Sequence, residues 1–268
     1  MFTYDFMANA AAAGAIVAVV AGAVGYMLVL RGQAFAGHAL SHVGFTGATG
    51  AVLIGMPPLA GLVLMTVAAG LGIGALGRRV AERDVAIGIV LSVSLGFGVL
   101  FLHFFTAHAT QATALLFGDI LGVDAETIWV LLGLAGVSLG GLVLIGRPLL
   151  FASLQPELAE ARGVPVRLVS VLFMGIVGLA TAECVQIVGV LLVFALMVGP
   201  AASAQRLCGR VLPGIAVSVG FSLGVTGAGL GLSVLTDWPV SFWISALSGG
   251  LFLLACLPRR RGSGPARA

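Results

Sequence analysis

The sequence predicts an all-α, polytopic membrane protein, and three observations support that prediction. Of the 268 residues, 60% are hydrophobic and 9% are charged, whereas a soluble domain carries roughly 25% charged residues. The mean hydropathy is +1.17. Apolar residues gather into many stretches near the length of about 20 residues that spans a bilayer as a helix. The chain therefore belongs in a membrane, and we expect no separate soluble catalytic domain.

Nine apolar stretches are predicted to form transmembrane helices. In chain order they cover residues 10–30, 38–54, 59–76, 85–102, 128–145, 168–182, 187–200, 214–235 and 240–257. The second stretch starts with two histidines, and the sixth and seventh are divided at Glu183 and Gln186, which leaves two short helices. Eight or ten crossings therefore remain alternatives to nine.

The arginines indicate the topology. All 13 basic residues are Arg, and they fall in five groups: Arg31; Arg78, Arg79 and Arg83; Arg147, Arg162 and Arg167; Arg206 and Arg210; and Arg259, Arg260, Arg261 and Arg267. One apolar stretch precedes the first group and two separate each successive pair, so every Arg lies on one side. Because positively charged loops stay in the cytoplasm, we predict an outside N-terminus and a cytoplasmic C-terminus. Residues 1–257 are read as one transmembrane domain, and 258–268 as a disordered basic tail.

The sequence contains no Lys, which excludes two kinds of chemistry. A P-loop needs the lysine of G-x-x-x-x-G-K, and Schiff-base catalysis needs a lysine amine. Work driven by a nucleotide must therefore be done by another chain. The three cysteines, Cys184, Cys208 and Cys256, have no C-x-x-C spacing, so we read them as small membrane-embedded hydrophobic residues.

The outer side of this topology is acidic. It holds these carboxylates and histidines and no basic residue: Asp5, His103, His108, Asp119, Asp124, Glu126, Glu183 and Asp237. A negative mouth favours cations, although the sorting of Arg to the other side also leaves acidic residues here. His103 and His108 are candidates to receive a metal, or are simply solvated. Glu183 is either an interface turn or part of a proton or metal relay.

Two histidines near the start of the second stretch are the strongest candidates for chemistry. His38 and His42 are four residues apart, so on a helix they project from one face about one turn apart. Two imidazoles at that spacing can bind one metal ion. An ionisable residue within a membrane span marks a transport path by default. The alternative is a structural pair, hydrogen-bonded at the interface.

An intramembrane hydrolase fits the sequence poorly. Residues 136–140 match G-x-S-x-G, but they lie in the middle of an apolar stretch and not at a strand-to-helix elbow. All four histidines precede Ser138, whereas rhomboid-type proteases place Ser before His. Ala39 stands where H-E-x-x-H has its general base. A stand-alone ion-coupled carrier remains a further alternative, which a requirement for ATP would exclude.

Four runs of sequence, in order, resemble the membrane permeases of zinc- and manganese-importing ABC transporters. Residues 30–47 resemble L-R-R-x-x-x-x-G-D-A-L-S-H-x-x-x-x-G, with matches at Leu30, Arg31, Gly37, Ala39, Leu40, Ser41, His42 and Gly47. Residues 115–121 are similar to L-F-G-x-I-L, and residues 188–204 to V-G-x-L-L-V-x-A-L-L-x-x-P-A-A-T-A. Residues 155–164 are similar to F-D-P-E-x-A-x-x-x-G-V, although Leu154 and Gln155 replace its Phe and Asp. Together these runs span most of the chain.

The resemblance implies that the chain is one subunit of a larger transporter. It implies a bacterial cell-membrane permease that is not an enzyme, that forms the path as a homodimer and that works with a separate ATP-hydrolysing subunit. An extracytoplasmic binding protein would deliver the metal; neither a permanently bound cofactor nor a nucleic acid partner is expected. The cytoplasmic segment around 147–167 would dock on the ATPase, through a short helix over 155–163. The docking residues are Gln155, Pro156, Glu157, Ala159 and Gly163.

The family motif also implies a metal contact, with one departure. His42 matches the motif's His, whereas His38 replaces its Asp, so the resemblance carries the metal role to both positions. Two imidazoles suit Zn²⁺, whereas Mn²⁺ prefers a carboxylate oxygen, and zinc is therefore the predicted cargo. Manganese, iron or a metal chelate remain alternatives.

One further match lies before the last stretch. Asp237, Trp238 and Pro239 stand where the family has D-x-P. Trp238 is most simply an anchor in the aromatic belt of the membrane. Together with Asp237 it is also a candidate gate at the outer end of the path, and Asp119 is a further candidate there.

Overall fold

The computed structural model describes residues 5–76, 80–104 and 116–257. Within them the regular elements are ten helices: α1 (Asp5–Leu30), α2 (Ala34–Leu53), α3 (Pro58–Ala75), α4 (Val80–His103), α5 (Ala125–Leu154), α6 (Pro156–Ala161), α7 (Val166–Val188), α8 (Val193–Leu207), α9 (Val211–Thr236) and α10 (Val240–Cys256). The all-α prediction is confirmed for these residues. His108 and the predicted tail over 258–268 lie outside them.

Six of the described helices are long and apolar enough to cross a membrane, namely α1, α3, α4, α5, α7 and α9. Helix α2 has 20 residues but is diluted by two histidines and several small polar residues. Helix α8 has 15 residues and α10 has 17. The protein is multi-pass, while nine crossings and the orientation of the termini stay predictions.

Several packed pairs of helices are antiparallel, which gives the bundle two ends. Helix α3 packs antiparallel against both α2 and α7, and α1 packs antiparallel against α9. We call the end that carries α6 the α6 end, and the other the opposite end. The arginines whose side chains are described all lie toward the α6 end: Arg31, Arg147, Arg162, Arg167, Arg206 and Arg210. The arginine pattern predicts that every Arg lies on one side, and the positions of these arginines agree with that prediction.

The core is built around α1 and α7, the most enclosed of the six long apolar helices. Close approach of helices depends on small residues, as is typical of packing in lipid. A Cβ added to Gly25 would meet the backbone carbonyl of Met197, and one added to Gly178 would meet that of Thr66. The outward faces of α3, α4 and α5 expose large apolar side chains, which suits contact with lipid.

The predicted division at Glu183 and Gln186 is wrong. Helix α7 continues through both residues to Val188, and the chain breaks at Gly189, whose φ is +85°. A positive φ of this size favours glycine, so the helix ends at Gly189 and not at Glu183. The Leu191 amide donates to the Leu116 carbonyl oxygen at 3.3 Å, which satisfies part of the unwound backbone.

Helix α5 extends beyond the predicted stretch at both ends. The Asp124 side chain caps its start by accepting from the Thr127 amide at 2.8 Å, and the hydrogen bonds from Thr127 lower the pKa of Asp124. The helix has 30 residues and contains Pro148, so it is roughly 45 Å long at 1.5 Å per residue. The first part of the predicted 147–167 segment is therefore the last turns of α5.

The short helix predicted over 155–163 is present as α6. Pro156 occupies its first turn and Glu157 lies near its positive end, the placements that favour a helix start. Gly163 has a φ of +78°, and the Val164 amide donates to the Ala159 carbonyl oxygen at 2.9 Å. These bonds end α6 and turn the chain into α7.

Candidate functional site

Helix α2 is held tightly by α3 and α4, which pack against two of its sides. Where it crosses α3, a Cβ on Gly47 would meet the Gly61 carbonyl oxygen, so the two backbones lie in close contact. On the α4 side, the Thr46 hydroxyl donates to the Ser94 carbonyl oxygen at 2.6 Å. A helix fixed on both sides gives its remaining face a defined position.

That remaining face carries the two histidines. Between residues 36 and 49 of α2, His38 and His42 are the positions that are partly exposed, and the others are buried. Their ring centroids are 4.8 Å apart, with an angle of 87° between the ring planes. The spacing of four residues therefore brings the two imidazoles together at an open position inside an otherwise enclosed helix.

Aromatic side chains border the pair. The ring of Phe194, at the start of α8, lies 5.5 Å from that of His38, and the ring of Phe35 lies 6.3 Å from it. The Ser41 hydroxyl donates to the His38 backbone oxygen at 2.7 Å, while the buried Nδ1 of His38 has no hydrogen-bond partner. One side of the pair is thus apolar, and one ring nitrogen is left unsatisfied.

The pair can supply two nitrogen ligands to a transition metal. In the described parts of the chain, no third His, Cys, Asp or Glu joins it to form a larger cluster. A complete coordination sphere would therefore need water, substrate or a second copy of the chain. This arrangement suits an ion in passage better than a resident structural metal, because structural zinc sites are closed by four protein ligands.

Glu183 lies away from the outer loop in which the topology had placed it. It is fully buried within α7, and neither carboxylate oxygen has a hydrogen-bond partner. The neighbouring Cys184 is also fully buried. The structure does not bring Glu183 into a cluster with the histidines.

The acidic candidates lie at the opposite end. Asp119 is exposed, and its Oδ1 accepts from the Gly122 amide at 3.0 Å. The Ser241 hydroxyl donates to the Phe117 carbonyl oxygen at 2.8 Å, and a cavity of about 200 Å³ lies between the 117–121 and 239–241 segments. Asp237 is exposed, with a φ of +56° after α9.

Trp238 belongs to an exposed aromatic group beside Asp237. Its ring stacks on that of Trp243 at 5.7 Å and meets that of Phe242 at 5.4 Å. The Trp243 indole donates to the Thr236 hydroxyl at 3.0 Å. His103 is exposed at the end of α4, with its ring 5.7 Å from that of Phe104, and is not gathered with the histidine pair.

The predicted docking residues surround α6. Gln155, Pro156 and Glu157 are exposed, whereas Ala159 is buried. Two leucines that were not among the predicted docking residues, Leu154 and Leu158, are 61% and 46% exposed on the same segment. Exposed leucines on a short, charged helix form a surface that another protein could cover.

A bundle of apolar helices with two imidazoles at an open position inside it is typical of a membrane transport protein. The family model described as the ABC 3 transport family matches residues 3–259. The chain belongs to that family.

Similar proteins agree with the assignment. The manganese transport system membrane protein MntC of Halalkalibacterium halodurans is 31% identical over 257 residues, which cover 95% of this chain and 88% of MntC. The manganese import system permease protein ScaB of Streptococcus parasanguinis is 31% identical over 232 residues, covering 86% of this chain and 82% of ScaB. The solved structure of PsaBC from Streptococcus pneumoniae in complex with Fab gives a TM-score of 0.84 at 27% identity, covering 94% of this chain and 91% of that chain.

These findings fix the general role. The chain is a membrane permease subunit of a metal ABC importer, and it is a multi-pass protein of the bacterial plasma membrane. ATP hydrolysis belongs to a separate subunit, so the permease is not an enzyme. The G-x-S-x-G match at 136–140 is accordingly a coincidence of small residues within α5.

Proposed function

We propose that two copies of this permease form a path for divalent transition metals, that His38 and His42 contact the ion, and that zinc is the favoured cargo. The observation that carries the proposal is the pair of imidazoles with ring centroids 4.8 Å apart, at the partly exposed positions between residues 36 and 49 of α2. The unsatisfied Nδ1 of His38 supports it, because a buried polar atom without a partner is costly unless a ligand completes it.

A homodimer would complete the metal contact. Each copy offers two imidazoles, and zinc prefers four ligands in a tetrahedral arrangement. A two-fold axis that brings two α2 faces together would therefore supply four nitrogens from one repeated pair. A path lined in this way binds an ion while the copies are together and releases it when they part.

The preference for zinc over manganese would depend on the ligand type at residue 38. An all-nitrogen pair favours zinc, whereas manganese prefers carboxylate oxygen. Manganese is the second candidate, because MntC and ScaB are named for manganese transport. In this proposal His38 shifts the preference of a shared scaffold from manganese toward zinc, and permanent cofactors have no part in it.

The α6 segment is proposed to dock on the ATPase subunit. Its exposed leucines, Leu154 and Leu158, would be covered by the partner, and Glu157 would pair with a basic side chain. Gln155, Pro156 and Gly163 fix the start and end of α6, while Ala159 anchors it. In this orientation the α6 end is cytoplasmic.

The opposite end would then receive metal from an extracytoplasmic binding protein. Asp119 and Asp237 are both exposed there, and Asp237 directly precedes the exposed Trp238. Carboxylates at the entrance would raise the local concentration of cations. Trp238 would meet the binding protein or the membrane interface with its apolar ring.

Transport into vesicles tests the cargo. The permease, its ATPase and its binding protein would be reconstituted together, and ATP-driven uptake of ⁶⁵Zn²⁺ and ⁵⁴Mn²⁺ would be measured singly and in competition. Zinc uptake that resists an excess of manganese is expected. Uptake of manganese alone would overturn the zinc assignment, and uptake without ATP or without the ATPase would overturn the ABC mechanism.

A further inference from the structure

Arg31 makes an unusual set of contacts at the α6 end. Its Nη1 donates to the Ser153 hydroxyl at 2.9 Å, and its Nη2 donates to the Ser170 hydroxyl at 2.8 Å. Its Nε donates to Gln33 Oε1 at 3.3 Å, and the guanidinium carbon lies 5.5 Å from the centre of the Phe173 ring. One side chain therefore joins the α1–α2 link to two other helices.

The two serines flank α6 in the chain. Ser153 is the last residue but one of α5, and Ser170 is the fifth residue of α7. The Ser153 hydroxyl donates its own proton to the Leu149 carbonyl oxygen, so its lone pairs face the guanidinium. Arg31 thus binds the end of α5 and the start of α7, the two helices that α6 connects.

The link from Arg31 to the histidines is short and rigid. Three residues, 31–33, separate α1 from α2. The Gly32 amide donates to the Val29 oxygen and the Gln33 amide to the Leu28 oxygen, both at 3.0 Å, and Gly32 has a φ of +65°. This is the bonded ending of a helix in which glycine adopts a left-handed conformation. A displacement of Arg31 therefore moves the start of α2, with His38 one turn inside it.

A cavity separates part of α6 from the end of α3 and the start of α7. Its volume is about 730 Å³, and its walls include Arg31, Gly74, Pro156, Glu157 and Ser170. Open space between α6 and the end of α3 means that close packing does not transmit motion there. The end of α5 and the start of α7, which flank α6, are joined to the α1–α2 link by contacts that include the two hydrogen bonds of Arg31.

We propose that Arg31 is a positioning residue that transmits movement of α6 to the histidine pair, an inference that rests on the proposed docking and metal roles. When the ATPase moves α6, the spacing between Ser153 and Ser170 changes. A planar guanidinium can hold both hydroxyls in one spacing, so a change forces it to release or follow them. The start of α2 then shifts, and metal binding changes with the state of the ATPase.

The test measures coupling in the complete transporter, reconstituted with its ATPase and binding protein. The variants are Arg31→Gln, Arg31→Lys and the double variant Ser153→Ala/Ser170→Ala. Arg210→Gln is the matched control, since Arg210 is exposed at the same end beside α9. Three quantities are recorded: ⁶⁵Zn²⁺ bound without ATP, ATP hydrolysed, and ⁶⁵Zn²⁺ imported per ATP.

Arg31→Gln should lower the zinc imported per ATP by about tenfold or more, within the usual range of coupling between sites. Zinc binding without ATP should stay within about twofold, as for a substitution outside the site. Arg31→Lys should also lose coupling, because an ammonium lacks the fork that spans two acceptors. A wild-type ratio in Arg31→Gln would overturn the inference, since a merely structural residue alters amount and stability but not this ratio.

The serine variant covers the case in which Arg31→Gln does not assemble. It keeps the charge and its contact with Phe173, and a wild-type ratio in it would also overturn the inference. His42→Ala separates this inference from the proposed function. If His42→Ala binds zinc normally, the metal role fails; if it loses zinc while Arg31→Gln keeps a normal ratio, only the role of Arg31 fails.

Discussion

Two ionisable sites inside the bundle differ in access. His38 and His42 lie on α2 at partly exposed positions and face each other, whereas Glu183 lies on α7 with its side chain fully enclosed and its oxygens unpartnered. Both contradict the rule that membrane interiors exclude ionisable groups. Access separates them, because the histidines are partly exposed and the Glu183 side chain is fully enclosed. This difference in access supports the transport role proposed for α2.

Removing one imidazole should give the largest effect. His42→Ala is expected to lower zinc uptake by about 100-fold or more, because even the outer partners of metal ligands are worth 10- to 100-fold in affinity. Uptake of ⁶⁵Zn²⁺ into reconstituted vesicles is the measurement. Copurification of the ATPase is the control for assembly, and a His42→Ala protein that assembles and transports normally would remove the distinction between the two sites.

Changing the ligand type at residue 38 should change selectivity more than rate. His38→Asp is expected to shift the preference from zinc toward manganese by about tenfold, because an oxygen ligand replaces a nitrogen. Competition between ⁶⁵Zn²⁺ and ⁵⁴Mn²⁺ in one vesicle preparation measures the shift. His38→Asn keeps the size of Asp without its charge and separates the effects. An unchanged ratio in His38→Asp would mean that selectivity is set elsewhere.

Substitution of the enclosed carboxyl group should affect stability and not transport. Glu183→Leu is expected to stabilise the protein by about 1 to 3 kcal/mol, the cost of a buried polar group without partners. Thermal unfolding in detergent measures this change, and Glu183→Gln serves as the comparison that keeps a polar group. Loss of uptake in a well-folded Glu183→Leu protein would instead assign α7 a relay.

The smallest effect is expected at the exposed histidine of α4. His103→Ala should change zinc uptake by no more than about twofold, because exposed positions away from a site tolerate substitution. It also makes a matched comparison for His42→Ala, with the same residue type and the same replacement. If His103→Ala proved as damaging as His42→Ala, the metal path would include the end of α4.

Much of the fold follows from local patterns in the chain. Apolar length located the long helices, and Pro156 and Gly163 marked the ends of α6 because their backbone preferences act locally. The break after α7 was misplaced because a charged Glu183 suggested an interface, whereas the deciding feature was the backbone conformation of Gly189. Polarity and backbone geometry are separate signals, and here they conflicted.

The candidate site was only partly predictable for a related reason. The i, i+4 spacing of His38 and His42 is local, so a single helix brings the rings together. The Phe194 ring beside His38 and the two serines around Arg31 come from segments more than 100 residues away. No periodicity within α2 carries information about such partners.

The length of α5 has a consequence for the membrane itself. Its 30 residues make a rod of roughly 45 Å, while the hydrocarbon layer is about 30 Å thick. The surplus can be taken up by tilt or by projection into the water beyond the headgroups. Where the surplus projects at the α6 end, the last turns of α5 would carry α6 beyond the headgroups, where a partner subunit can reach it.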